Sequence, residues 1–443
     1  MRIALLCPLL MMFSVHSSLA QTPPPSSAPP PFPNRANEVM PSWLRLRAEF
    51  RERIEGSSGI QFATDREDGY FLSRLRLNAT IRPGRFISGA VQAQDGRVAA
   101  KTVGSTAAPF TGTFDLRLAH MDLGNAATSA VFARFGRQEL VYGEQRLVGH
   151  SNWTNTARSF DGARASFKKK GYQADVFAAS VVRIQADEFD KSGNGNRFLG
   201  AYGVVSAWVP KSTVEPFVFW RADQELRTET GSIGDLGATT TGVRWVGTLP
   251  KGLDYGLDMA IQRGSLGTDA VSAWAGHWQL RHTASGSLAL RTTAEYNHAS
   301  GDANPADGTR GTFDQLYPTA HDKYGLADQV GWKNVSHMRA GVEFTPRRGW
   351  PVTTNYHSWW LADVHDALYN AASAAIARVP GGAAESHVGQ EIDVQLTRAL
   401  WPQLQVSGGY AHIFPGGFLK EATPGQSYSY GYFMATYVFL AER

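Results

Sequence analysis

The chain contains one cysteine, Cys7, so nothing downstream of it can form a disulfide or a thiolate metal cluster. After residue 20 no window of about 18 apolar residues occurs, which excludes membrane-spanning helices. Apolar residues at helical spacing are scarce. Basic runs are scarce too: Lys168-Lys169-Lys170 is a turn-flanking exception, and a net charge of +4 without a basic helix gives nucleic acid no footprint. No nucleophile–base pair, metal-ligand spacing or phosphate loop is present. His120, His277, His282, His298, His337, His357, His365 and His412 are scattered without motif partners and read as rim or turn residues. Asp302-x-Asn304-x-x-Asp307-Gly308 puts oxygen ligands on a glycine turn, but its spacing misses the EF-hand pattern and it reads as a polar loop. These absences leave no expected cofactor or metal and argue against an enzyme.

What is present begins with Arg2, an apolar run Ile3 to Phe13, and the small-residue stretch Ser17-Ser18-Leu19-Ala20-Gln21. That order describes a secretory signal peptide over residues 1–20. The tract TPPPSSAPPPFP cannot join a packed core, so residues 21–41 read as an extended linker. No second composition break follows, and residues 42–443 read as one domain.

Through that domain, apolar and polar residues alternate. Leu44, Leu46, Ala48 and Phe50 interleave with Arg45, Arg47, Glu49 and Arg51; Leu75, Leu77, Ala79 and Ile81 interleave with Arg74, Arg76, Asn78 and Thr80. About eighteen such segments of roughly ten residues end in Gly, Pro, Asn or Asp. A soluble sandwich and a membrane barrel share this pattern. Three features favour an all-β transmembrane antiparallel barrel. Segment length suits a tilted membrane strand. Aromatics gather at segment ends as girdles would: Trp208, Trp220, Trp245, Trp350, Trp359, Trp360, Tyr428, Tyr430 and Tyr432. Mean hydropathy is −0.27 although one face of each segment is strongly apolar. Connections also alternate between tight turns, such as Pro83-Gly84 and Arg348-Gly349, and long loops at 56–69, 140–158, 184–196, 300–333, 366–386 and 414–427. This predicts short periplasmic turns and long extracellular loops. The alanine-rich stretch Asp366–Arg378 is expected to carry a short helix.

Sending the apolar face to lipid sends the other face to the lumen. That set holds Arg45, Arg47, Arg51, Arg74, Arg76, Arg134, Arg164, Arg221, Arg244, Arg281, Arg291 and Arg339, with Glu49, Asp115, Asp175, Asp223, Asp258, Glu295, Glu343, Glu391 and Asp393. Guanidinium forks match carboxylates two bonds at a time, and a ladder of them interleaved with acids suits an anion moving between weak sites. Such ladders can also simply hold a barrel wall together. Arg137 breaks the parity of its segment and points to a bulge or strand end.

The motifs GRQELVYGEQRLVG and NWTNTARSFDGAR, between Gly136 and Arg164, resemble the outer-membrane alginate export family. So do Phe313–Asn334 (FDQLYPTAHDKYGLADQVGWKN), Leu44–Glu55 and Leu116–Gly124. The resemblance spans nearly the whole mature chain. It implies a monomeric eighteen-stranded barrel with an electropositive lumen, in a family whose best-known members export alginate, a polyuronate. By position it implies that Arg137, Gln138, Glu139, Arg146, Trp153, Asn155, Arg158, Asp161 and Arg164 form a wall and loop at the pore. Tyr317, His321, Tyr324 and Asp328 would belong to a long gating loop. Two departures stand out: the Pro-rich tract, and an end that runs past Tyr437 and Phe439 to Arg443 rather than closing on an aromatic. The expected function is a passive outer-membrane channel for anionic polysaccharide or oligosaccharide. Its expected surroundings are membrane lipid, lipopolysaccharide and periplasmic export partners. A general or organic-acid-selective porin, and more distantly a barrel hydrolase, are the alternatives.

Overall fold

The computed structural model describes residues 34–228 and 231–440; the expected signal peptide and the proline tract lie outside the described residues. Strict alternation favours extended backbone with two unlike faces. The chain forms eighteen long strands. They are β1 (Leu44–Ser58), β2 (Glu67–Ile81), β3 (Ile87–Ala99), β4 (Gly112–Leu123), β5 (Val131–Gln138), β6 (Phe160–Lys169), β7 (Tyr172–Arg183), β8 (Arg197–Val205) and β9 (Ser212–Arg227). They continue as β10 (Ile233–Leu249), β11 (Leu253–Leu266), β12 (Asp269–Thr283), β13 (Arg291–Ala299), β14 (Val335–Arg347), β15 (Trp350–Leu361), β16 (His387–Trp401), β17 (Leu404–Pro415) and β18 (Tyr428–Phe439). Each pairs antiparallel with its sequence neighbours, and β1 pairs with β18 from Ala48↔Phe439 to Ser58↔Ser429, closing the barrel. The last strand ends on an aromatic, Phe439.

Register sorts the two faces. Across β1 and β2, Phe50 faces Leu75 and Ala48 faces Leu77, while Arg51 faces Arg74 and Glu49 faces Arg76. Phe50, Ile54, Phe71 and Leu77 are exposed on the outer face, and Arg51, Arg53, Arg74 and Arg76 are buried on the inner one. The strands are longer than the sequence pattern predicts: β10 has 17 residues, because hairpins such as β9–β10 carry the ladder beyond the apolar band.

Tight links at 170–171, 250–252, 348–349 and 402–403 share one rim with the start of β1 and the end of β18. The opposite rim carries the long links 139–159, 184–196, 300–334, 362–386 and 416–427, and a further one at 100–111 that the sequence pattern misses. The alanine-rich segment is not helical. Leu368–Tyr369 pairs with Ala375–Ala377, and the buried Asp366 carboxylate accepts bonds from Thr312, Tyr369 and Arg378, so tertiary contacts override alanine's helix preference. The helix of the long-loop rim is instead Gly417–Ala422, which buries Phe418 and Leu419. At the other rim, Ala36–Val39 forms a single helical turn. Asn37 Nδ2 ties it to the Leu46 carbonyl at 2.7 Å and to the Leu440 carbonyl at 2.8 Å.

Four residues expected in the aromatic girdles face inward: Trp359, Tyr428 and Tyr430 are buried, and Tyr432 stands opposite the buried Glu55, on the parity of His357 and Ser57 rather than of the exposed Tyr356 and Phe433. Trp208, Trp220 and Trp245 are exposed as expected. If the outer face meets hydrocarbon, Leu77→Arg will destabilise the barrel by about 2 kcal/mol or more. Urea unfolding in lipid vesicles measures this, and an unchanged midpoint would contradict the assignment.

Candidate functional site

A loop that turns into a barrel carries carbonyls with no ladder partner, and each needs a donor. Three interior arginines meet that need at residues 152–154, and a fourth holds the Asn152 side chain. Arg51 donates to the Asn152 and Thr154 carbonyls, each at 3.1 Å, and Arg74 reaches the same two at 3.0 and 3.2 Å. Arg53 donates to the Trp153 carbonyl at 2.6 Å, and its guanidinium lies 4.0 Å from the indole centroid. Arg76 holds Asn152 Oδ1 at 2.6 Å. Beside them Asn155, only 1% exposed, directs its Nδ2 at the Ser73, Arg97 and Phe110 carbonyls at 3.0, 3.1 and 2.9 Å. One residue of the NWTNT stretch thus anchors the loop to β2, β3 and the 100–111 link.

The 300–334 loop packs on the first through backbone bonds. Gly149 N donates to the Tyr317 carbonyl at 2.8 Å, Tyr317 N to Leu147 at 2.8 Å and Thr319 N to Gln145 at 2.9 Å. Arg158 bridges both loops through the Gly149 and Pro318 carbonyls at 3.0 and 2.9 Å. Burial lowers its pKa to about 10, with Arg221 nearby adding to the effect. The His321 ring stacks on Trp153 at 3.8 Å between centroids, and its Nδ1 sits 2.7 Å from the Asp328 carboxylate. Trp153 therefore carries a guanidinium from the wall and an imidazole from the second loop.

These loops rest on an apolar surface inside the barrel. Phe160, Phe177, Phe198, Tyr202, Phe217 and Phe219 form a buried cluster with Tyr142 and Tyr317. Tyr142 stacks on Tyr202 at 4.7 Å, and Tyr317 meets Phe198 edge-on at 4.9 Å. The facing wall, β12 to β16, is polar. Arg146 reaches it with Nη2 at 3.0 Å from Glu295 and Nη1 at 3.4 Å from Asn297 Oδ1 and 3.3 Å from the Tyr324 hydroxyl. Burial opposes the Arg146 charge, but Glu295, Tyr324 and Glu144 overcome it and hold its pKa above the ordinary value.

The same wall brings together three histidines that the sequence leaves scattered, correcting their assignment to rims and turns. Hydrogen bonds link His277 Nδ1 to Asn297 Oδ1 (2.8 Å) and Asn297 Nδ2 to His337 Nδ1 (2.9 Å). They continue from His337 Nε2 to His357 Nδ1 (2.9 Å) and from His357 Nε2 to Asp393 (3.0 Å). This wall also fixes the second loop: Glu391 accepts the Leu326 amide at 2.5 Å, and Trp359 Nε1 donates to the Tyr324 carbonyl at 2.8 Å. Gly325 has φ +127°, and a Cβ there would lie 2.9 Å from both Glu391 oxygens, so only glycine fits.

Most other predicted lumenal residues stand on the inner face, already paired. Arg134 holds Asp122 at 2.7 and 2.8 Å, opposite Arg164 in register, and Arg164 lies 5.6 Å from the Phe132 ring. Arg221 joins Asp223 and Asp314 at 3.0 and 2.6 Å, and Arg244 holds Glu215 at 2.9 Å. Arg291 meets Glu343 at 3.3 Å, and Arg339 meets Asn355 at 3.0 Å. Arg45 donates to the Pro41 carbonyl at 2.8 Å, and Arg47 is exposed on the inner face. Tyr317, His321, Tyr324 and Asp328 all lie in the second inward loop.

Arg137 and Asp161 differ from expectation. They pair at 2.8 and 3.1 Å, but their register places them on the face of Phe135 and Ala163, opposite that of Arg134 and Arg164. Their spacing from Arg134 and Arg164 is odd, and period two puts them on the outer side. Arg53 and Arg117 belong to the site but escaped the sequence reading. Arg117 is buried, bonds Gln92 at 2.7 Å and pairs with Glu139. The flanking Leu116 and Leu118 gave its signal, but a bulge in the β3–β4 register interrupts the period there. In the acidic loop, Asp302 accepts the Asn304 and Gly311 amides at 2.9 and 2.7 Å, and Asp307 accepts Thr309 N at 2.8 Å, as a plain polar loop would.

Two outcomes follow from the loop anchors. Asn155→Asp replaces the donor aimed at three carbonyls with an acceptor, so the 139–159 loop will open to protease and channel noise will rise; an unchanged cleavage pattern would refute its anchoring role. Lys333 is buried beside the Tyr369 ring at 4.2 Å, and burial, aided by Arg310, lowers its pKa to about 8. An opened loop restores a value near 10.4, so between about pH 8 and 10.4 the opened form binds more protons and docking strengthens as pH rises. Proteolysis of the 300–334 loop should therefore slow over that window in the wild type. It should slow less in Lys333→Met.

With this geometry in view, similar proteins can be placed. No curated protein matches the sequence. Pseudomonas aeruginosa OpdQ superposes with a TM-score of 0.61 at 12% identity, covering 89% of this chain and 97% of that one. Acinetobacter baumannii OccAB2 gives 0.60 at 11%, covering 89% and 98%. P. aeruginosa OccK2 (OpdF), solved in complex with glucuronate, gives 0.59 at 12%, also covering 89% and 98%. These are outer-membrane porins, and the likeness is one of fold. The profile described as alginate export matches residues 42–433, nearly the whole chain, and the protein belongs to the alginate export family of outer-membrane β-barrel channels.

Proposed function

We propose that this channel is a passive conduit for anionic polysaccharide of the alginate-like polyuronate type, or for related anionic solutes. The observation that carries the reading is the charge around the first inward loop. Arg51, Arg53, Arg74, Arg76 and Arg117 gather there with three paired carboxylates, Glu49, Glu55 and Glu139. Loop carbonyls satisfy the hydrogen bonds of several of these guanidiniums but leave their net charge uncancelled. In a low-dielectric wall that surplus draws anions to the narrowed lumen. Arg47 and Arg164, on the same inner face, extend the positive path. The barrel would work as a monomer among lipid and lipopolysaccharide, with export partners on the short-turn side. A second reading, a porin selective for small organic acids, gains support from the glucuronate complex of a barrel with this fold and from the loops that narrow the lumen.

In planar bilayers the wild type should pass anions in preference to cations. Arg47→Gln, Arg117→Gln and Arg164→Gln combined should lower that preference severalfold while the barrel keeps its folded electrophoretic mobility. Unchanged selectivity in the triple variant would refute the arginine path. Block by uronate oligomers at concentrations where monomeric acids pass freely would favour the polymer conduit, and the reverse would favour the small-acid porin.

A further inference from the structure

Anion passage does not account for one group on the inner wall, and loop docking uses only Glu391 Oε1 of it. His357 of β15 faces Glu391 of β16 across the ladder, and Asp393 stands two residues further along the same face. All three are buried, at 0%, 1% and 1% exposure. One ligand atom from each lies within 4.8 Å of the others. Their outward atoms are occupied: His357 Nδ1 bonds His337 at 2.9 Å, Asp393 Oδ1 accepts from Asn355 Nδ2 at 2.8 Å, and Glu391 Oε1 accepts from Leu326 N at 2.5 Å. His357 Nε2 lies 3.0 Å from Asp393 Oδ2, and Glu391 Oε2 is buried with no hydrogen-bond partner. Among the described residues no arginine or lysine pairs with either carboxylate, whereas the buried Glu295 and Glu215 each have an arginine. Two buried carboxylates without a cation are costly, and a cation set between them and the imidazole would remove that cost.

We propose that His357, Glu391 and Asp393 form a binding site for a divalent first-row transition-metal ion. One imidazole nitrogen and two carboxylate oxygens suit Zn²⁺ or Mn²⁺ and do not suit Ca²⁺, which takes oxygen ligands only. The hydrogen bonds on the outward atoms are the supporting contacts that orient metal ligands. Loading draws the three inward atoms together and displaces the proton that His357 Nε2 shares with Asp393. The ring proton then moves to His357 Nδ1 and is donated to His337 Nε2, whose own proton moves to Nδ1 and displaces the Asn297 Nδ2 bond there. Glu391 also holds the Leu326 and Ala327 amides, so the ion clamps the second inward loop to the wall. This inference does not depend on what the channel conducts.

The test uses the purified full chain in detergent, incubated with Zn²⁺, dialysed, and measured for metal by mass spectrometry. The wild type should retain about one Zn²⁺ per chain, and Glu391→Gln and His357→Gln about tenfold less, whereas Asp302→Asn should match the wild type. Chelation of the loaded wild type should speed proteolysis within 313–334, a readout that needs no variant. Retention below about a tenth of an equivalent by the wild type, full retention by Glu391→Gln, or displacement by equimolar Ca²⁺ would each overturn the site.

Discussion

Hydrocarbon offers no partner to a backbone amide, so a strand that crosses a bilayer must find both neighbours within its own sheet. The pairing of β1 with β18 meets that demand and leaves no open edge. The rest of the structure follows from this closure. It fixes which side chains look inward, encloses a volume too wide for wall side chains to fill, and requires the long loops either to cap that volume or to enter it.

Here two loops enter, and the interior divides. On one side they pack on phenylalanines and tyrosines of β6 to β9, as a soluble core would. On the other they meet carboxylates, amides and imidazoles of β12 to β16. Guanidinium groups join the halves because one side chain can satisfy several stranded carbonyls and still carry charge. The arginines thus hold the loops in place and, on the proposed reading, also line an anion path, two roles that the sequence reading set against each other. Arg74 illustrates this: it pairs with Glu49, donates to two loop carbonyls, and belongs to a cluster whose charge is not cancelled.

The barrel, its strand number and its alternating rims were legible because period-two patterning repeats with little interruption. Inner-face assignments for Arg51, Arg76, Arg221, Arg244 and Glu295 came from parity alone. Arg137 and Asp161 show where borrowing from motif membership fails: they sit beside pore residues in sequence but on the other face. Arg117 was obscured by a bulge, which no residue pattern announces. The histidine wall was invisible for a different reason. His277, His337 and His357 come from three strands, and only the ladder register brings them together. The alanine-rich loop misled because local preference ranks below a buried aspartate with three side-chain donors.

The ribbon between Gln145–Gly149 and Tyr317–Thr319, with the indole of Trp153 held by Arg53 and His321, joins the two inward loops into one body. A body held at several points releases all of them or none. On the proposed conduit reading the two loops would move as a unit, and the ionic current would step between levels where two independently swaying flaps would give a graded drift.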